Sequence, residues 1–276
     1  MPKIKVNDIN LYYETYGKGQ PIVFISGFAT DHAKWMLTTN EFAKNYQVIV
    51  FDNRGVGQSD CPAYPYTIDM IADDVVGLCK NLNINSAHFV GSSMGGTIVQ
   101  TLAYKHPEFV KTAIICNSAA KFNIKLKLIL EASLIARQAK VPLESPIKRT
   151  LCDIFSVDFL SKKGVVDALL KLFANDPYPI TDQGYISQMH ALLEFDSRNW
   201  LNKIMKPSLV IYSDEDQLVD IASSKELIAA IPNAESFCFN RVGHAPDVEH
   251  PDVFIKLVNI FRIKKLKKKI KLIWKI

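Results

Sequence analysis

The stretch Gly91-Ser92-Ser93-Met94-Gly95-Gly96 constrains this chain more than any other. The apolar run His88-Phe89-Val90 leads into it, and helical spacing follows directly over 97–104. A strand that turns into a helix within so few residues leaves no room for side chains at the crossing. Glycine at 91 and 95 is what such a turn demands. Ser93, at its apex, is expected in strained backbone that lifts its hydroxyl clear of the sheet. The helix that starts at once has free N–H groups in its first turn, aimed at whatever Ser93 meets. Gly-x-Ser-x-Gly by itself arises by chance in many chains, and the flanking strand and helix are what give it weight.

A serine hydroxyl is a poor nucleophile near neutrality. It needs a base within hydrogen-bond reach, and the base needs an acid to orient it. His244 lies in Arg241-Val242-Gly243-His244-Ala245-Pro246, just after the last strand-like run, where glycine and proline suit an exposed loop. His88 is inside a strand, and His106 and His250 each precede a proline near a helix end. His32 and His190 lack supporting context, though either could line a pocket. For the acid, the run 210–213 ends in Asp214-Glu215-Asp216, and Asp216 is our choice over Asp214. The expected catalytic set is therefore Ser93, Asp216 and His244, each following a strand. Two backbone N–H groups would hold the oxyanion, from Met94 and from Phe28 in the loop after the third strand. The side chains of Phe28 and Met94 would line the substrate pocket. No cofactor and no metal is implied, since the cysteines and histidines form no ligand-like cluster.

Along the chain, 3–6 and 10–16 read as a hairpin, and Pro21-Ile22-Val23-Phe24-Ile25 as a buried central strand. A helix is expected to about 44, a strand over 47–51, a helix over 67–82 and strands over 87–90 and 110–116. From about 119 to 200 no strand is evident, and helical spacing recurs over 126–139, 146–155, 165–173 and 185–193. Strand and helix then alternate again from 208, with a last helix from Pro251. This alternation predicts an α/β fold with a parallel sheet wrapped on both sides. It divides the chain into a core of 1–118 and 201–262, a helical cap of 119–200 and a basic amphipathic tail of 263–276.

These residues together resemble the α/β-hydrolase superfamily over nearly the whole chain. The likeness is carried by Ser26-Gly27-Phe28, the Asp52-x-Arg54-Gly55-x-Gly57-x-Ser59 loop, the 91–96 turn, Asp216, and Gly243-His244-Ala245-Pro246 with Glu249-x-Pro251. The resemblance implies a mostly parallel eight-stranded sheet, helices on both faces, and a helical cap inserted after the sixth strand. Pro65-Tyr66-Thr67-Ile68 and Cys116-Asn117-Ser118-Ala119-Ala120-Lys121 look like 3-oxoadipate enol-lactonases. The chain is also similar to the carboxylesterases that demethylate pimeloyl-acyl-carrier-protein methyl ester. Hydrolysis of a carboxylic ester or lactone through an acyl-enzyme is the expectation. A carbon–carbon bond hydrolase with the same triad, and a ligand-binding receptor with little turnover, are the alternatives. One departure is Ser26, where many members carry histidine to brace the oxyanion loop. A serine at the turn argues against the dehalogenases and epoxide hydrolases, whose nucleophile there is aspartate.

Charge bears on partners. Eight basic and no acidic residues lie from Arg262 onward, and removing them from the net +5 leaves 1–261 at −3. Within 121–150, seven cations face two acids, a field that would favour an acidic substrate or an acidic acyl carrier protein. A solvated helical face is the plainer alternative. In the tail, Ile263, Leu266, Ile270 and Ile273 fall at helical spacing among lysines. Such a helix can lie on an anionic membrane surface, or can simply extend the last helix of the fold. No nucleic-acid partner is implied. Five scattered cysteines and no apolar leader point to a cytoplasmic protein with reduced thiols packed in its interior.

Overall fold

A strand such as Ile22-Val23-Phe24-Ile25 has no polar side and must be covered on both faces. The computed structural model, which describes residues 2–232 and 234–273 with side chains as far as Arg262, shows how. Its eight strands are β1 (Lys3–Val6), β2 (Ile9–Tyr16), β3 (Gln20–Ile25), β4 (Tyr46–Phe51), β5 (Ala87–Ser92), β6 (Val110–Cys116), β7 (Ser208–Ser213) and β8 (Glu235–Phe239). They form one sheet in the order β1-β2-β4-β3-β5-β6-β7-β8. β2 runs antiparallel to β1 and β4, and every later pairing is parallel. Successive side chains of β3 go to opposite sides: Val23 and Ile25 into one apolar cluster, Ile22 and Phe24 into another.

Helices α1 (Met36–Ala43), α2 (Ile68–Asn81) and α3 (Met94–Lys105) fill the first half of the chain. α2 and α3 cover the Val23 face with Ile71, Val75, Ile98 and Leu102. The opposite face is covered by Phe42 of α1 and by Phe254, Val258 and Phe261 of the last helix. The apolar stripe of α2 repeats at helical spacing, and Thr67 caps its first turn by accepting from the Met70 N–H.

Between β6 and β7 the chain leaves the sheet for five helices: α4 (Ile124–Gln138), α5 (Glu144–Ile154), α6 (Val157–Leu160), α7 (Val165–Ala174) and α8 (Asp182–Glu194). α4 and α8 pack on each other and join the large cluster through Leu126, Leu130, Tyr185 and Leu192. The α5–α7 lobe differs. Its buried residues Leu151 and Phe155 form a satellite cluster whose third buried member is Ala245, in the loop that carries His244. The chain returns as α9 (Ile221–Ala230), α10 (Pro246–Glu249) and α11 (Pro251–Ile273).

One expectation needs correction. The cysteines are all free, but only Cys79 and Cys116 are buried; Cys152 is exposed and Cys61 and Cys238 are half-buried. The short helices α6 and α10 carry too few residues for apolar periodicity to reveal them. As for the tail, the α11 backbone continues to Ile273, and the docking of its apolar side lies outside the described side chains. None of the described helices is long and apolar enough to cross a membrane.

Candidate active site

In a parallel sheet the loops after successive strands emerge at the same end. Here those after β3, β5, β6, β7 and β8 do so. Four of the seven described non-glycine residues with positive φ lie in these loops: Ala29, Ser93, Asn117 and Arg241. Backbone strain is concentrated where the candidate chemistry is.

Ser93 has φ 58° and ψ −118° and is the N-cap of α3. The glycines around it are demanded by contact. A Cβ on Gly95 would strike the backbone of β3, with Ile25 C at 2.8 Å and Ser26 O at 2.9 Å. A Cβ on Gly91 would meet the Gly95 carbonyl, and Gly96 N at 2.8 Å. The strand and helix therefore cross in backbone contact. The Ser93 N–H donates to the Cys116 carbonyl at 2.9 Å and the Gly96 N–H to the Ser93 carbonyl at 2.9 Å. Met94, the first residue of α3, has its N–H at the helix N-terminus, where no intrahelical acceptor exists.

The imidazole of His244 and the carboxylate of Asp216 are brought together. Nδ1 lies 2.7 Å from Oδ2, with both side chains almost fully buried. A carboxylate can only accept here, so Nδ1 carries the proton of the neutral ring and Nε2 is left as the acceptor. Asp216 is itself pinned. Oδ1 accepts from Leu218 N and Val219 N, each at 2.9 Å, and Oδ2 also accepts from Asn117 Nδ2 at 2.8 Å. Asp214 does different work, accepting the Arg241 N–H at 2.6 Å and so holding the loop that leads to His244.

The loop after β3 is tied at several points. The Ser26 hydroxyl donates to the Asp31 carbonyl at 2.8 Å, and Asn53 Nδ2 to the Ser26 carbonyl at 3.1 Å. A serine thus braces this loop across its own turn. Thr30 Oγ1 donates to the Phe28 carbonyl at 2.9 Å. The Ala29 N–H donates to Gln188 Oε1 at 2.9 Å, while Gln188 Nε2 donates to the Arg54 carbonyl at 2.8 Å. Gln188 is on α8, so the helical insertion holds this loop directly. The Phe28 ring meets Tyr185 of α8 edge-on, with centroids 4.7 Å apart.

The Asp52–Ser59 loop serves as a structural neighbour. Asp52 accepts from the His32 and Gln58 N–H groups, each at 2.8 Å, and contacts His32 Nδ1 at 2.6 Å. Arg54 forks onto Asp74 through Nε at 2.6 Å and one terminal nitrogen at 2.8 Å. Burial works against charge on His32, but Asp52, Asp31 and Glu14 outweigh it and raise its pKa above the ordinary value. Asp31, His32 and Asp52 also offer ligand atoms within 4.8 Å of one another. Both Asp52 oxygens and one Asp31 oxygen already accept backbone N–H groups, and His32 Nδ1 is already on Asp52, so the cluster acts to hold its loop.

The remaining histidines are accounted for by structure. His88 Nδ1 contacts Thr112 Oγ1 at 2.8 Å, His106 pairs with Asp73 at 2.8 Å, His190 Nδ1 donates to the Tyr66 carbonyl at 3.2 Å and His250 stacks on Phe239. Cys116 is beside the site, yet burial pushes its thiol pKa well up, which removes it as a competing nucleophile. Five of the seven cations in 121–150 have an acid within 4 Å: Asp196 for Lys121, Glu131 for Lys127, Asp182 for Arg137, Glu144 for Lys148 and Asp153 for Arg149. That pairing weakens the field that an acidic partner would feel.

Three residues that support the site went unremarked as such in the sequence: Asn117, Gln188 and Glu249. Asn117 and Glu249 stand inside runs that carry the family resemblance, which is a signal of sorts. Gln188 has none, being one polar residue on an amphipathic helix.

Residues 20–145 match a family model described as the alpha/beta hydrolase fold. The chain is 29% identical over 253 residues to 3-oxoadipate enol-lactonase 2 of Acinetobacter baylyi, covering 91% of this chain and 92% of that one. It is 30% identical over 260 residues to 2-hydroxymuconate semialdehyde hydrolase of Pseudomonas sp. strain CF600, covering 89% and 87%. The crystal structure of the enol-lactonase from Burkholderia xenovorans LB400 superposes with a TM-score of 0.84 at 28% identity, covering 94% of this chain and 99% of that one.

Proposed function

The chain belongs to the α/β-hydrolase family, and from that premise we propose that it is a serine hydrolase cleaving a carboxylic ester or lactone through an acyl-enzyme. The observation that carries the reading is the 2.7 Å contact of His244 Nδ1 with a fully engaged Asp216, behind a serine held at positive φ at the head of α3. Relatives named as enol-lactonases support the lactone.

In this mechanism His244 Nε2 takes the proton of Ser93 Oγ as that oxygen bonds to the substrate carbonyl carbon. Asp216 keeps the ring in the tautomer with Nε2 free and offsets the charge it gains. The carbonyl oxygen, now an oxyanion, is held by the backbone N–H groups of Met94 and Phe28. The tetrahedral adduct collapses, the carbon–oxygen ester bond breaks, and His244 returns the proton to the leaving oxygen. In a lactone that alcohol stays tethered to the acyl group. Water, deprotonated by His244, then attacks the acyl-enzyme and regenerates Ser93. No step calls for a metal or a cofactor. We assign the 119–200 insertion to covering this site, since Phe28 meets Tyr185 of α8.

A second reading, carbon–carbon bond hydrolysis with the same three residues, is favoured by the likeness to 2-hydroxymuconate semialdehyde hydrolase. A substrate panel separates the two: an enol-lactone, short p-nitrophenyl esters, pimeloyl methyl ester and a dienoic ring-cleavage product. Turnover of esters or lactone that vanishes in Ser93→Ala is the expected result. Turnover of the dienoic substrate alone would favour the second reading. No turnover of any above the Ser93→Ala level would remove both.

A further inference from the structure

His244 does not stand on the sheet alone. Two successive N–H groups approach its Cα, those of Gly243 and His244, and both are accepted by atoms outside the loop's own turn. The His244 N–H donates to the Ile154 carbonyl at the end of α5, at 2.6 Å. The Gly243 N–H donates to Glu249 Oε1 at 2.9 Å. That same oxygen accepts the Ser156 N–H at 3.1 Å, and Glu249 Oε2 accepts the Ser156 hydroxyl. Ser156 is in turn the N-cap of α6, its oxygen accepting the Phe159 N–H at 3.2 Å. Glu249 is 5% exposed. One buried carboxylate thus joins the imidazole loop to the α5–α6 junction.

The fit is close enough to exclude a side chain at 243. A Cβ there would meet Phe155 C and Ser156 N, each at 2.9 Å, as well as the Ile154 carbonyl. The α5–α7 lobe has little other buried purchase. Its apolar cluster is a satellite containing Ala245 of the loop and no strand residue. On the other side, Lys34 pairs with the buried Asp247 at 2.7 Å and anchors α10.

We propose that Glu249 is a positioning residue: it clamps the α5–α7 lobe to the imidazole loop, so that the lobe moves only by moving His244. The proposal rests on the reading of His244 as the base. Its chemistry is one of reach. A carboxylate that must span from Gly243 N to Ser156 can lose its charge and still serve, but it cannot be shortened. Glutamine keeps the length, and its carbonyl oxygen can accept both backbone N–H groups. Aspartate keeps the charge and pulls the oxygens back by one methylene.

The test compares Glu249→Gln, Glu249→Asp and Ile84→Ala, a loss of buried volume remote from the insertion. The readouts are kcat and KM on a small ester, and the NMR resonance of the His244 Nδ1 proton, assigned by its loss in His244→Ala. The clamp predicts that Glu249→Gln stays close to wild type. It predicts that Glu249→Asp loses kcat by on the order of 100-fold, with KM little changed, as a misplaced base should. The Nδ1 resonance should shift or broaden in Glu249→Asp, and hydrogen exchange should quicken across α5–α7. Ile84→Ala should lower Tm and leave the resonance in place. Glu249→Asp outperforming Glu249→Gln would replace the clamp by a role for charge. Both variants keeping wild-type kcat and resonance, with only Tm reduced, would overturn it. Wild-type turnover in Ser93→Ala would instead sink the hydrolase reading, while the resonance would still decide the clamp.

Discussion

Ser93 bears strain on the order of 1–3 kcal/mol at its φ of 58°, and the fold holds it there by hydrogen bonds on both flanks. If that strain serves nucleophilic attack, removing the hydroxyl should cost activity but not structure. Ser93→Ala, His244→Ala and Asp216→Asn should each lower kcat by on the order of 10⁴-fold while circular dichroism stays native. The double Ser93→Ala/His244→Ala should be little worse than Ser93→Ala, because the residues act as one unit. Losses that multiply would contradict this. His88 shows the opposite use of an imidazole. Burial, aided by Arg262 and Lys111, lowers its pKa to about 3. The unfolded chain binds that proton near pH 6.5, so stability present above this value is lost as pH falls toward 3, by roughly 1 kcal/mol per pH unit. Urea midpoints between pH 7 and 4.5 should fall less steeply in His88→Gln than in wild type. Equal slopes would show that His88 is not the group responsible.

At the scale of elements, what was legible followed local chemistry. The glycines of 91–96 mark a strand–helix crossing because only backbone fits there, and the unbroken apolar run Ile22-Val23-Phe24-Ile25 of β3 marks a strand covered twice. Gly95→Ala should therefore be among the most damaging single methyl additions in the chain. Its Cβ meets the main chain of β3, which cannot rotate away as a side chain could. A fall in Tm together with loss of turnover is expected, and unchanged values of both would show that the crossing is looser than described. Gly164→Ala is the contrast. Its φ of 80° carries strain, but nothing lies within 4 Å of the new Cβ, so only a small drop in Tm is expected. What was not legible spans distance. Asn117 reaches Asp216 across 99 positions, Ser156 reaches Glu249 across 93 and Ala29 reaches Gln188 across 159. No periodicity or spacing encodes such pairs: the first exists only once β6 and β7 have paired, and the other two only once the insertion has folded back over the sheet.

For the whole molecule, the sheet supplies the loops and the insertion grips them, among other contacts through Gln188 at Ala29 and through Ser156 with Glu249 at Gly243. Both contacts are made by residues that precede the basic C-terminus. Phe254, Val258 and Phe261, which cover one sheet face, all precede it. Deleting the residues after Lys264 should leave kcat/KM on a small ester unchanged, and a large loss would give that segment a part in the site. EDTA should likewise leave turnover unaffected, and loss restored by one divalent ion would replace the metal-free mechanism. The central claim is that Ser93 becomes acylated with His244 as its base. Rapid-quench mass spectrometry with a p-nitrophenyl ester tests it directly. The account predicts a burst of p-nitrophenol close to one per enzyme, an acyl mass on the peptide holding Ser93, and neither in Ser93→Ala or His244→Ala. Steady turnover in wild type with no adduct at any quench time, or an adduct on another residue, would contradict it.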